Sequence, residues 1–185
     1  MPTPSVSFPR TARIIDSGAV SRRGQIVLAP EEQLELLENA RVVVVSTNGP
    51  RGWPHSMPLW FTLREPANEP LADGPPRELW IWTYAKSQKV RNLERDPRAT
   101  LLIETGTEYL ELRGVQIEAE AELVRDPERV LEFGKELTIR YSEGIESIAG
   151  DAAAAMQAQA AKRVAIRFQP RRVASWDHRK LGGTY

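Results

Sequence analysis

Between residues 108 and 124 the apolar side chains change phase. Leu110 and Leu112 are apolar at even positions, whereas Val115, Ile117, Ala119, Ala121 and Leu123 are apolar at odd ones. Gln116, Glu118, Glu120 and Glu122 fill the gaps. Period-2 alternation marks a half-buried strand, and a one-residue shift turns every side chain to the other face. The shift falls across Arg113-Gly114, and glycine inside a strand marks a bulge or a sharp bend. A long strand that bends and changes its inward face suits the corner of a small barrel or split barrel. The three glutamates share one strand face about 7 Å apart with no histidine near, so a solvated face is expected there rather than a metal site.

Other strands surround this one. Arg41–Thr47 contains four consecutive valines and reads as a strand buried on both faces. Asn48-Gly49-Pro50-Arg51-Gly52 is a turn, and His55–Leu63 returns as a strand. Pro58 removes a ladder donor there, which predicts a bulge or an exposed edge with backbone groups free for a ligand. Leu79–Tyr84, Ala99–Glu104, Arg163–Phe168 and Arg172–Trp176 complete the strand-like runs, the last two parted by Pro170. Together these runs are read as a barrel of about six strands. Helices are expected after Pro30, after Ser87, from Asp126-Pro127 through Tyr141, and from an Asp151 cap through the alanine run 152–161. Leu34, Leu37 and Val42 are expected to face inward around the first of these. The fold class is therefore mainly β with α insertions (α+β), a six-stranded antiparallel split β-barrel with peripheral helices. Residues 1–29 read as an N-terminal arm, 30–176 as the barrel domain and 177–185 as a C-terminal tail.

The 185 residues are enough for one domain to bury a core without staples. There is no cysteine, which removes disulfides, thiolate nucleophiles and cysteine metal sites. Two histidines far apart in sequence, His55 and His178, make a histidine-built metal site unexpected, and none is assigned. Lysine plus arginine equals aspartate plus glutamate, at 25 each, so nothing global draws the chain to nucleic acid or an anionic membrane. No apolar run approaches the roughly 20 residues that span a bilayer, and the N-terminus lacks the apolar core of a secretory signal. A cytoplasmic protein is expected.

One segment carries chemistry. Leu79–Tyr84 runs into Ala85-Lys86-Ser87 and then a short helix. Ser87 stands where its hydroxyl can cap that helix. Lys86, Lys89 and Arg91 put cationic groups by the helix N-terminus, which with its free N–H groups forms an anion site or simply a solvated basic helix. No serine has a histidine and acid placed beside it by any motif, so no nucleophile–base pair is found.

Taken in order, the short helix, the valine strand, the Asn-Gly turn, Pro54-His55-Ser56-Met57-Pro58 and Lys89-Val90-Arg91-Asn92-Leu93-x-x-Asp96-Pro97 resemble the flavin-binding split-barrel superfamily. That group holds the pyridoxamine 5′-phosphate oxidase-like proteins and the deazaflavin (coenzyme F420) dependent reductases. The resemblance covers roughly residues 31–176. It implies an oxidoreductase that transfers a hydride between F420 or flavin mononucleotide (FMN) and a small organic substrate. A binder that sequesters the cofactor without turnover is the alternative. It further implies a homodimer with the cofactor site between subunits. Carried over by position, Lys89 grips the cofactor phosphate with Ser87 in support, and Trp82 and Thr83 lie along the cofactor. The strand His55, Ser56, Met57 and Pro58 passes the ring, Asn92 belongs to the motif, and Trp176 stands where an aromatic often flanks the ring. Ser87 and Gln88 precede Lys89 where many FMN oxidases of the group carry arginines, which favours the deazaflavin branch. His55 is the first candidate proton donor, its alternative being a hydrogen-bonded turn histidine, and Tyr84 and Tyr109 are weaker acid candidates. Trp53, Trp60, Trp82 and Trp176 suit a flat ring; for Trp60 and Trp80, core packing is the expectation.

Overall fold

The structure is a computed structural model that describes residues 22–182; most of the N-terminal arm (1–21) and the end of the tail (183–185) lie outside the described residues. Among the described residues seven antiparallel strands form one sheet that curls into a half-barrel. They are β1 (Val43–Asn48), β2 (Pro54–Leu59), β3 (Phe61–Arg64), β4 (Glu78–Tyr84), β5 (Arg98–Thr105), β6 (Arg113–Val124) and β7 (Arg163–Asp177), in the order β2-β1-β5-β6-β7-β4-β3. Five α-helices among the described residues accompany them: α1 (Arg22–Gln25), α2 (Pro30–Asn39), α3 (Gln88–Arg95), α4 (Pro127–Tyr141) and α5 (Gly150–Ala160).

The strand count is seven rather than six, and the runs divide differently. His55–Leu63 is two strands, because Trp60 leaves the ladder between β2 and β3. The two runs either side of Pro170 are one strand. β4 pairs with β7 only as far as Phe168, so Pro170 sits beyond that ladder, at a bulge where Glu118 pairs with Arg172 and Ala119 with Pro170. A missing N–H is tolerated at such a position. Pro58 does lie on an edge strand, as among the described residues β2 has only β1 for a partner.

The phase change at Arg113-Gly114 has a different cause from a bent strand. Tyr109–Glu111 form a 3₁₀ turn with Leu110 exposed, and the strand begins at Arg113. Gly114 is glycine because the Trp176 ring lies directly on it: a Cβ there would come within 2.2 Å of the ring. Asp126 caps α4 by accepting from the Arg129 N–H at 2.9 Å, as its sequence position predicts. α5 starts earlier than expected, with Ala149 at the cap and Asp151 in its first turn. Along α2 the buried residues are Gln33, Leu36 and Leu37, while Val42 is exposed.

Two cores lie on opposite sides of the sheet. Inside the curl, Leu79, Ile81, Leu101, Ile103, Ile117, Ile166 and Phe168 pack with Leu36 and Leu37 of α2 and Val90 and Leu93 of α3. Outside β4 and β7, Trp80, Trp82 and Ala165 pack against Phe133 and Leu137 of α4 and Met156 and Ala160 of α5. Alternation along β4 therefore sends Trp82 and Thr83 to different sides. Glu118, Glu120 and Glu122 face arginines of β7 and form ion pairs with Arg172, Arg171 and Arg167. These exposed pairs contribute little individually, about 0–1 kcal/mol.

The register also defines a row across the outer face. Pro58 pairs with Val44, Val44 with Leu102, Leu102 with Gln116, and Gln116 with Ala174. Their neighbours Val45, Leu101, Ile103, Val115 and Ile117 are buried in the inner core, so this row points outward. Val44 and Leu102 are half-buried, and Pro58 and Ala174 exposed.

Candidate cofactor site

β4 delivers the chain to the site. Its last turn is closed by the Ser87 N–H donating to the Tyr84 carbonyl at 3.0 Å, and α3 begins at once. Ser87 occupies the N-cap, as its position predicts, but its hydroxyl makes no capping bond. The Ser87 Oγ is buried without a partner. The first-turn N–H groups of α3 are thus left without a side-chain cap, and a buried acceptor–donor stands idle beside them.

Lys89, the second residue of α3, turns back over the end of β4. Its side chain is buried, and Nζ donates to Thr83 Oγ1 at 3.0 Å. Among the described residues no carboxylate pairs with it. Burial without a counter-charge holds the ammonium pKa below its ordinary 10.5. An ammonium has three donors, and Thr83 takes one. An anion placed here would meet the remaining donors, the Ser87 hydroxyl and the helix N-terminus together. A phosphate ester fits that donor set. Lys86 and Arg91 are exposed and point to solvent rather than into this corner.

A second strand of polar groups closes the same end of the barrel. Gln88 Nε2 donates to Asn92 Oδ1 at 2.8 Å, and Asn92 Nδ2 donates to Thr47 Oγ1 at 3.0 Å. Thr47 pairs across the β1–β2 ladder with His55. The His55 Nδ1 is buried without a partner. Thr83, Ser87, Lys89, Asn92 and His55 therefore gather at one end of the half-barrel.

The remaining predicted positions fall elsewhere within this chain. Met57 follows His55 on the same side of β2 and is exposed. Ser56 faces outward, 2.8 Å from the Ser46 hydroxyl. Pro58 and Trp82 line a separate cleft with Trp60. Trp176 pairs with Gly114, whereas Thr83 pairs with Val164, so twelve positions of β7 part Trp176 from the phosphate corner. Trp53 is 75% exposed and Trp60 55% exposed, so Trp60 is not a core residue; Trp80 is. Thr47 and the structural role of Gln88 were missed. Thr47 read as one more residue of a strand, and only the α3–β1 contact shows its polar partner.

Because desolvation depresses Lys89 and a bound phosphate restores its charge, anion binding takes up a proton at alkaline pH. Affinity for a phosphorylated cofactor is expected to fall as pH rises past the depressed pKa, before an ordinary lysine would titrate at 10.5. Fluorescence titrations between neutral pH and pH ~10 check this, with Lys89→Met as the reference that should lack the lysine's share of the fall.

A curled antiparallel sheet with a short helix set where one strand ends defines a split barrel. Residues 29–177 match the family described as pyridoxamine 5′-phosphate oxidase, and the chain belongs to that family. Among solved structures it resembles the conserved hypothetical protein Rv2991 from Mycobacterium tuberculosis, at 36% identity over 90% of this chain and 95% of that one, TM-score 0.74. An F420 reductase shares the fold at 23% identity over 75% and 93% of the two chains, TM-score 0.53. A FAD-binding protein from Mesorhizobium loti shares it at 14% identity over 80% and 94%, TM-score 0.54. No protein of curated function matches the sequence.

Proposed function

We propose that this chain is a homodimeric oxidoreductase that holds coenzyme F420 or FMN by its phosphate on Lys89 and uses it to reduce a small organic molecule. One observation carries the reading: Lys89 is a buried ammonium with a hydroxyl partner and no anion among the described residues. The unpartnered Ser87 hydroxyl beside it supports the same ligand. The fold likeness to an F420 reductase and to a FAD-binding protein is consistent with either cofactor. The absence of arginines at 87 and 88 favours the deazaflavin.

When bound, either cofactor supplies the hydride, and the chain's own residues orient it and exclude water. Lys89, Ser87 and the start of α3 bind the phosphate. Thr83 aims the Lys89 ammonium. Asn92 and Thr47 brace β1 against α3, and so hold β2 and His55 in place. His55 is the proton donor we assign to the substrate side, since its ring Nδ1 is buried at this end of the barrel without a protein partner. The outward row Pro58–Val44–Leu102–Gln116–Ala174 is the face on which we place the second subunit. That arrangement lets the partner complete the site.

The test is a fluorescence titration of the full chain with F420 and with FMN, followed by steady-state turnover with enones and quinones. Micromolar binding of one cofactor with turnover supports the enzyme. Binding without turnover of any acceptor turns the reading to a cofactor-sequestering protein, and binding of neither removes both.

A further inference from the structure

We infer that the cleft where the β2–β3 corner meets α4 and α5 is a binding site for a flat aromatic carboxylate. It is separate from the phosphate corner. The cavity is about 500 Å³, and its lining includes Pro58, Trp60, Trp82, Leu137, Gln159 and Arg163. That volume accommodates one small organic molecule.

Its walls are fixed. Trp60 is 55% exposed, yet it is not loose: it stacks on Tyr141 with centroids 4.4 Å apart and planes 12° apart. The Tyr141 hydroxyl accepts from the Phe61 N–H at 3.1 Å and has the Arg41 and Phe61 carbonyls within donating reach, at 2.9 and 3.0 Å. Through Tyr141 this ties Trp60 to α4, to β3 and to the segment that leads into β1. Trp82 is held from behind by α4, where Gly134 leaves room for its ring: a Cβ on Gly134 would lie 2.8 Å from it. An exposed, rigid indole and a buried one lining the same cleft offer flat apolar surface to a planar body at low entropic cost.

The charge is what names the ligand. Arg163 places its guanidinium 4.3 Å from the Trp82 ring and 4.4 Å from the Tyr84 ring. The other β7 arginines Arg167, Arg171 and Arg172 each meet a glutamate. Arg163 enters no ion pair among the described residues, and its Nε is buried without an acceptor. A guanidinium oriented by two rings and lacking a carboxylate is preorganised to receive one. The Gln159 amide at the rim can bond a further polar substituent.

The probe is 2-naphthoate, with the uncharged 2-naphthalenemethanol as its shape match, each titrated calorimetrically into the full chain. The acid is expected to bind at least tenfold more tightly than the alcohol. Arg163→Gln should remove that preference while leaving alcohol binding within twofold. Trp60→Ala, at a position 55% exposed, should weaken both while keeping the far-UV circular dichroism of wild type. Lys89→Ala should change neither, which separates this cleft from the cofactor reading. Equal affinity of the acid for wild type and Arg163→Gln overturns the site. So does loss of acid binding in Lys89→Ala, undiminished binding in Trp60→Ala, or no binding by wild type. If Arg163→Gln does not fold, Trp60→Ala and the acid–alcohol comparison in wild type decide.

Discussion

Lys89→Ala is expected to weaken binding of the phosphorylated cofactor at least tenfold. The Lys89 ammonium is buried with Thr83 Oγ1 3.0 Å away. A charge-assisted hydrogen bond to phosphate in such a site is worth about 1.5–3 kcal/mol, and a factor of ten is about 1.4 kcal/mol. Because the ammonium is desolvated without a counter-ion, removing it relieves a cost in the free protein. Lys89→Met, which keeps an apolar stem, should therefore fold at least as well as wild type while binding as poorly as Lys89→Ala. Loss of affinity without loss of Tm is a signature a structural lysine would not give. Lys86→Ala and Arg91→Ala, both at exposed positions, should stay within twofold of wild type. The measurement is a fluorescence titration of each variant with F420 and FMN. Unchanged affinity in Lys89→Ala would sink the assignment.

The parts of this site that a sequence shows are those set by local rules. The cap position of Ser87, the end of α3 at Asp96-Pro97 and the edge character of Pro58 follow from backbone chemistry within a few residues. What the rules do not show is which side of a strand a residue takes when both sides are buried. Along Glu78–Thr83 every residue is buried, so alternation carries no hydrophobic contrast, and Trp82 and Thr83 look equivalent. Only the packing of α4 and α5 outside β4 decides that Trp82 leaves the phosphate corner. The Asn92–Thr47 bond joins residues 45 apart, and nothing local to either announces the other. The phase change at Gly114 was visible, but a 3₁₀ turn and a bent strand produce the same shift of one residue. Ser87 shows the opposite failure. Its position as a cap was legible, while the hydroxyl that the position suggests is committed proves to be free for a ligand.

Leu102→Glu is expected to convert the proposed dimer into single 20.8 kDa chains and to lower cofactor affinity with it. Leu102 sits mid-sheet on β5, between Val44 of β1 and Gln116 of β6. With Pro58 and Ala174 these form an outward row across five strands. The helices α4 and α5 cover the outer face of β4 and β7 instead, and α2 and α3 pack into the curl. A largely apolar row left open on a rigid sheet suits the association face proposed above, and a two-fold axis through it would set Leu102 near its own equivalent. A carboxylate there must be desolvated twice, once per subunit, against a like charge. The inner core does not depend on this side chain, so the variant should keep its far-UV circular dichroism. Thr100→Glu, one step along β5 toward the polar row of Ser46, Ser56, Glu118 and Arg172, should disturb association less. Light scattering coupled to gel filtration reads the mass, and the cofactor titration repeated on Leu102→Glu reads the site. A wild type that runs as a monomer removes the interface. A monomeric Leu102→Glu that binds cofactor as wild type does keeps the interface but places the whole site within one chain, since the phosphate corner of Lys89, Ser87 and Thr83 would then suffice without the partner.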